Sequence, residues 1–227
     1  MLMRTKTSLK IKFHYSKNKQ MKILNLEQRS AEWFNARLGV ITGSRAKNVF
    51  KSNNLTFVDE LIAERMTQCV EESFTSKAME HGILFEPEAL KVYNERNIDR
   101  HVAEEVGFCI HDHVPYLAIS PDALIFDDVD AIGAVEIKCP SSKKHVEYLR
   151  QNKLPNEYKH QVLHYFIVIE TLQFLDFVSY DPRNREKDFH VVRVHRQDIE
   201  QELAVTFAEY VKFFAKLMKY EEEIKRL

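Results

Sequence analysis

Two short segments, Ser120-Pro121-Asp122 and Glu136-Ile137-Lys138, constrain this chain more than any other feature. The second lies in an apolar run and reads as a strand, which sends alternate side chains to one face, so Glu136 and Lys138 project together. Asp122, fourteen residues before Glu136, can meet them from a neighbouring strand. Two carboxylates and an ammonium then converge. Such a cluster can hold a hard divalent cation through oxygen ligands while the lysine orients an attacking water or stabilises charge on a phosphate. That is nuclease chemistry. The same residues also allow a plainer reading, a surface salt bridge of Lys138 with Asp122 or Glu136.

With 227 residues and 44% hydrophobic content, the chain suits one domain with ample apolar material for a core. Cys69, Cys109 and Cys139 form no CxxC pair, which points to reduced thiols and to neither a disulfide framework nor a zinc knuckle. The 33 basic and 34 acidic residues leave a net charge of −1, so any DNA contact has to come from a local basic surface. One candidate is the segment 1–20, where Arg4, Lys6, Lys10, Lys12, Lys17 and Lys19 occur with no acid; it reads as a disordered arm, either touching phosphates or, the preferred reading, no more than an upstream-start extension. It lacks the apolar core of a signal peptide, and no segment approaches the roughly 18 apolar residues of a membrane span. A soluble cytoplasmic protein is expected.

Periodicity and punctuation order the elements. Ser30 caps a helix over 31–38 that stops at Gly39, and a second short helix begins near Thr42 or Ser44. Helical spacing continues over 57–71, and a further helix is expected over 82–97, with Pro87 in its first turns. Strands follow over 102–111, 116–126 and 132–139, then helices over 141–151 and 157–171. Strands over 174–180 and 189–195 flank a turn at Asp181-Pro182-Arg183-Asn184, and 197–226 closes the chain as one or two helices. This order predicts an α/β fold with a central mixed sheet flanked by helices.

Six segments occur in sequence: WFNARLGVITGS at 33–44, EHGILFEPE at 80–88, AISPDA at 118–123, VEIKCP at 135–140, YKHQVLHY at 158–165 and YDPR at 180–183. Together they resemble the phage lambda exonuclease family, the YqaJ-like viral recombinases of the PD-(D/E)xK nuclease superfamily, over about residues 21–215. The three cysteines exclude the iron–sulfur branch of that superfamily, which uses four.

The resemblance implies a PD-(D/E)xK restriction-endonuclease-like fold over 21–227. It further implies a Mg2+-dependent 5′→3′ exonuclease of double-stranded DNA that leaves 3′ single-stranded tails for recombination by strand annealing. Two Mg2+ per active site are implied, with Mn2+ able to substitute. Asp122 and Glu136 would be the principal metal ligands, joined by Glu86 from a helix and by the backbone carbonyl of Ile137. The plainer reading of Glu86 is a solvated helix carboxylate, paired with Lys91 or left unpaired. Lys138 would lie at the scissile phosphate, and Gln161 would touch a phosphate or the water. Tyr158, Gln161 and Tyr165 share one helix face at i, i+3 and i+7, with core packing expected of the tyrosines. Arg37, Ser44 and Ser120 match a pocket for the 5′-terminal phosphate, for which a guanidinium fork with hydroxyl donors is apt; Arg37 also reads as a helix C-terminal residue favoured by the macrodipole and Ser44 as a helix cap, and both roles can hold at once. Met79 falls where the family carries an apolar wedge that separates strands; a buried core methionine is an equally good reading. His81 departs from the family pattern, which has an aromatic residue there.

Partners are implied on the same footing: duplex DNA with 5′-phosphorylated ends inside a homotrimeric ring, and a single-strand annealing protein, in a phage- or prophage-encoded system of a bacterial host. Enclosure would keep a nearly neutral protein on DNA without strong counterion release. Two other readings are a PD-(D/E)xK endonuclease of restriction or repair type and a noncatalytic DNA-binding module; the intact Asp122, Glu136 and Lys138 speak against the second. His160 and His164 have the i, i+4 spacing of a zinc pair but lack the accompanying glutamate, and read as coincidental. His111 and His113 read as surface residues.

Overall fold

The structure is a computed structural model that describes residues 21–69, 77–96 and 101–227, with side chains in the third helix described from Glu80 onward. The basic segment 1–20 and the side chain of Met79 lie outside the described residues.

The central layer is a five-stranded mixed sheet. In chain order its strands are β2 (Ala103–Glu104), β5 (Ala123–Asp127), β6 (Asp130–Lys138), β7 (Phe174–Tyr180) and β8 (Phe189–His195), which is also their spatial order. The pair β6 and β7 is parallel and every other neighbouring pair antiparallel. A second sheet of three short strands, β1 (Lys22–Leu24), β3 (Phe108–Ile110) and β4 (Ala118–Ile119), stands beside it. The segments β5 and β6 are nearly continuous apolar runs because both faces of the sheet are covered. One face carries Leu124, Ala134 and Phe177 and packs on α2 (Leu55–Thr67), α5 (Lys159–Val168) and α6 (Glu200–Lys225). The other carries Ala123, Val135, Ile137 and Val178 and packs on Ala89, Leu90 and Tyr93 of α3 (Lys77–Arg96).

Polar ties fix α3 to the sheet, among them Asn94, which exchanges hydrogen bonds with the Ala103 backbone of β2. The Tyr93 hydroxyl donates to buried Asp176 of β7 at 2.6 Å, where Arg193 of β8 also donates, and the Tyr180 hydroxyl donates to Glu88 at 2.8 Å. The connection from β6 to parallel β7 runs through α4 (Ser142–Gln151), capped by the Ser141 hydroxyl, and then through α5. The first helix, α1 (Ala31–Ala36), is capped by Ser30, whose hydroxyl accepts from the Trp33 amide at 3.1 Å. Beyond it Gly39 takes φ +66°, and its amide and carbonyl are bound by Glu64 and Arg65 of α2. That clasp sets the loop leading to Thr42 and the 3₁₀ helix Gly43–Phe50.

Four expectations change. The stretch 116–126 is two strands in different sheets, because Pro121 has no amide to donate and the ladder breaks at Ser120-Pro121-Asp122. The stretch 102–111 likewise splits into β2 and β3, which pair with β5 and β1. Helix α3 begins at Lys77, so Pro87 lies in its interior. The carbonyl of Ile83 that Pro87 leaves without its helical partner sits at an exposed position, where the loss is tolerated. His111 is buried: its Nδ1 accepts from the His113 amide at 3.0 Å and its Nε2 faces Glu170 at 3.4 Å, while His113 is exposed as expected.

Candidate active site

Glu136 and Lys138 leave β6 on the same face, two residues apart, and their side chains are joined as an ion pair. Glu136 is buried and accepts two further hydrogen bonds from α5, from Gln161 Nε2 at 2.6 Å to Oε1 and from the Tyr165 hydroxyl at 2.5 Å to Oε2. Tyr158 lies before α5, its ring centroid 5.4 Å from the Lys138 ammonium. The helix face holding Tyr158, Gln161 and Tyr165 therefore closes over the Glu136–Lys138 pair. Tyr165 is a core residue, as expected, but its hydroxyl serves the carboxylate. Burial and the charges of Glu136 and Asp122 push its phenol well above the usual tyrosine range, so it remains a donor. Burial works against the Lys138 charge, yet Glu136 and Asp122 outweigh it and hold the ammonium above its usual value.

Asp122 stands just before β5, whose first residue Ala123 pairs with Val135, and its Oδ2 accepts the Ile137 amide at 2.6 Å. Burial, then Glu136, push its carboxyl well above the usual carboxylate range; Glu86 adds to this, while Lys138 and the Ile137 amide oppose it. Glu86 comes from α3, on the opposite face of the sheet. It lines a cleft of about 600 Å³ together with Asp122, Ile137, Gln28 and Arg29. Its partner is Arg29, at 2.7 Å, and not Lys91, which faces Glu95.

The donor set of Glu86, Asp122, Glu136 and the Ile137 carbonyl is all oxygen, the chemistry that a hard divalent cation takes. A buried carboxylate burdened by two like charges is one that such a cation relieves, so these residues fit the group. As the side chains stand, no three His, Cys, Asp or Glu groups among the described residues close on one point. Each has taken a protein donor instead: Glu86 faces Arg29, Asp122 the Ile137 amide, and Glu136 its three partners. The convergence expected from the sequence is thus a shared neighbourhood, without ligand geometry.

Arg37 and Ser120 lie on two sides of Trp33. The Trp33 indole donates to Ser120 Oγ at 2.9 Å, and the Arg37 guanidinium sits 4.0 Å from the ring centroid and donates to Thr42 Oγ1 at 3.2 Å. Burial and nearby Arg45 pull Arg37 down to about 10, with Glu64 opposing. Ser44 is exposed in the first turn of the 3₁₀ helix. Gly43 lets that helix reach Ile119 and Gln161, since a Cβ there would come within 2.3 Å of the Ile119 side chain. The Arg37 group and the Glu136 group are therefore contiguous.

Other candidate groups stay outside this chemistry. His164 is buried, donating from Nε2 to the Ala118 carbonyl and accepting the Tyr210 hydroxyl at Nδ1, while His160 stacks on Phe50. Burial and neighbouring Glu86 and Asp122 push the Cys139 thiol up to about 12, which keeps it from acting as a nucleophile. His81 replaces an aromatic residue with a ring that packs on Phe85, and it donates to the Cys139 carbonyl at 3.1 Å, next to Lys138. The roles of Gln28, Arg29 and the Tyr165 hydroxyl were not legible from the sequence. Only Tyr165 left a trace, its shared helix face with Gln161.

A family model for the YqaJ-like viral recombinase domain matches residues 32–171. Among solved structures, the chain is similar to an alkaline exonuclease, LHK-Exo, from Laribacter hongkongensis. Identity is 32% and the TM-score 0.76, over 87% of this chain and 97% of that one. The same values relate it to LHK-Exo in complex with dAMP. A phage related exonuclease from Haemophilus somnus 129PT is 12% identical, with a TM-score of 0.54 over 82% of this chain and 96% of that one, a likeness of fold alone. No curated protein matches.

Proposed function

We propose that this chain, which belongs to the YqaJ-like viral recombinase domain family, digests one strand of duplex DNA from its 5′ end and leaves a 3′ single-stranded tail. Its fold is the α/β fold of the alkaline exonucleases, PD-(D/E)xK-like, and it is a metal-dependent deoxyribonuclease by homology. The observation that carries the finer reading is the Glu136–Lys138 pair on β6, with Asp122 just before β5 bound to the Ile137 amide and Gln161 and Tyr165 bonded to Glu136. In this reading residues 21–227 act as one nuclease domain preceded by a basic arm.

Hydrolysis of a phosphodiester needs an aligned water and compensation of the charge that builds on phosphorus-bound oxygens. When bound at Glu86, Asp122, Glu136 and the Ile137 carbonyl, Mg2+, at two ions per site, supplies Lewis-acid polarisation and a more acidic water. Lys138, held charged by Glu136 and Asp122, stabilises the scissile phosphate. Gln161 presents its amide beside Glu136 to orient the water or a phosphate oxygen, and Tyr165 keeps the Glu136 carboxylate in one rotamer. Arg37, with Ser120 and Ser44, grips the terminal 5′-phosphate so that the next bond is presented for cleavage. Met79 serves as the wedge at the end of the duplex.

The complex of a relative with dAMP supports a mononucleotide product. A homotrimeric ring around the duplex, a single-strand annealing partner and a phage or prophage origin in a bacterial cytoplasm complete the reading. No helix among the described residues is long and apolar enough to cross a membrane.

The test is time-resolved digestion of linear duplex labelled at either end, beside covalently closed circles, in Mg2+. Early release of the 5′ label as mononucleotide, with the complementary strand and the circles left intact, is expected. Cleavage of circles would make the protein an endonuclease, and prior loss of the 3′ label would reverse the polarity.

A further inference from the structure

The segment 25–29, between β1 and α1, forms one wall of the cleft that Glu86, Asp122 and Ile137 line. It is tied there. Gln28 Nε2 donates to the Pro121 carbonyl at 3.1 Å, between Ser120 and Asp122, and the Ser30 amide donates to the Glu27 carbonyl, closing a turn. Arg29 is the third residue of that turn and has φ +70°. Glycine takes such a position freely, whereas an arginine is strained in it. Among the described non-glycine residues Gln68, Asp128 and Asn152 also have positive φ, but Gln68 and Asn152 each close a helix in the left-handed conformation and Asp128 lies in the hairpin turn between β5 and β6, common places for it. The strain at Arg29 has a different correlate: its guanidinium lies 2.7 Å from Glu86 Oε2.

The pair is partly open to solvent, with side-chain exposures of 41% and 27%, so it is weak and easily exchanged. Glu86 is also the carboxylate that the proposed function gives to the metal, and this inference rests on that reading. A cation that binds Glu86 at Oε2, in the lone-pair position that the guanidinium now uses, displaces the guanidinium. Displaced by the cation, the guanidinium remains tethered in the cleft wall, where its planar fork suits a phosphate.

We propose that Arg29 and the divalent cation are alternative partners of Glu86, so that loading the metal releases the Arg29 guanidinium to bind a backbone phosphate of the DNA strand entering the cleft. Glu86 then couples two events: it holds the arginine until the cation arrives, and the arginine adds its charge to the substrate site only in the loaded enzyme. A substrate phosphate and a metal thereby reinforce one another through a residue that touches neither while it is paired.

The experiment compares wild type, Arg29→Gly, Glu86→Gln and the double variant, in full-length protein. Glycine fits φ +70°, so Arg29→Gly should melt no lower than wild type. Calorimetric titration with Mn2+ in the absence of DNA should show Arg29→Gly binding up to about fivefold tighter, since an exposed ion pair has been removed as competitor. In the Glu86→Gln background Arg29→Gly should leave Mn2+ affinity unchanged, which separates competition for Glu86 from a general charge effect. With Ca2+ in place of Mg2+, Arg29→Gly should bind 5′-phosphorylated duplex several-fold more weakly, and the slope of log K against log salt should become shallower by about one. Equal Mn2+ affinities for wild type and Arg29→Gly overturn the proposal, as do unchanged DNA affinity and salt slope. A wild type that binds no Mn2+ at millimolar concentration removes the metal reading of the site itself.

Discussion

Tyr165, in the middle of α5, donates its hydroxyl to Glu136 Oε2 at 2.5 Å from a wholly buried position. A core aromatic residue thus doubles as the fixed support of the carboxylate at the centre of the site. Tyr165→Phe keeps the packing and removes the donor. A hydrogen bond to a charged group is worth about 1.5–3 kcal/mol, so the variant should melt on the order of 5 °C lower and cleave roughly tenfold more slowly. Unchanged values of both in a melting scan and a Mg2+ rate assay would show that Gln161 and Lys138 hold Glu136 unaided.

Asp122 bears the opposite relation to stability. Its carboxyl is pushed up by burial and by Glu136 and Glu86, so its ionisation opposes folding, and the stability that protonation confers is lost as pH rises through its folded value. Asp122→Asn keeps an oxygen for the Ile137 amide and removes the charge. In EDTA the variant should melt at or above the wild-type temperature at pH 8, while cleavage in Mg2+ falls at least 100-fold. A variant that melts lower yet keeps cutting would assign Asp122 to structure.

Acid sensitivity should come from two buried imidazoles. Burial draws His164 down to about 4, opposed by the Ala118 and Ile41 backbone and aided by His111; burial, with His113, does the same to His111. Both folded values lie below the usual 6.5, so the stabilising neutral form is fully present above about pH 6.5, and stability is lost as pH falls from there toward 4. Urea denaturation across that window should show stability declining by a few kcal/mol, with up to two protons taken up on unfolding. His111→Asn should flatten the decline; an identical slope would place the sensitivity elsewhere.

Arg37 distinguishes an enzyme that starts at a 5′-phosphate from one that does not. Charge-assisted hydrogen bonds to phosphate are worth about 1.5–3 kcal/mol each, so Arg37→Ala should lose roughly tenfold or more in rate on 5′-phosphorylated ends and far less on 5′-hydroxyl ends. Because Arg37 also stacks on Trp33, part of any loss is structural, and a loss equal on both ends would be entirely so.

A ring can be weighed. Light scattering of the 26.8 kDa chain at micromolar concentration should give about three times that mass, and a monomer would remove enclosure as the source of processivity.

Residues 174–180 and 189–195 were legible as strands to the residue, because their apolar runs are bounded by turn-formers that no distant contact had to override. The Ser30 cap was legible for the same reason: the hydroxyl and the amide that it serves are three residues apart. The break at Pro121 was visible as a residue but not as a change of sheet, since which strand pairs with which is decided by long-range packing. In the site, the alternation of β6 alone brings Glu136 and Lys138 to one face, and helical spacing alone aligns Gln161 with Tyr165. The sequence by itself therefore determined the element types apart from the missed strand β1, the Ser30 cap and the residues able to do nuclease chemistry, all of which depend on neighbours within a few positions. Only the tertiary structure decided that Arg29 reaches Glu86 across 57 residues, that Trp33 joins Ser120 to Arg37, and that a core tyrosine serves Glu136. Those partners are chosen by the meeting of two faces of a folded sheet, and no local pattern encodes which distant side chain will be waiting there.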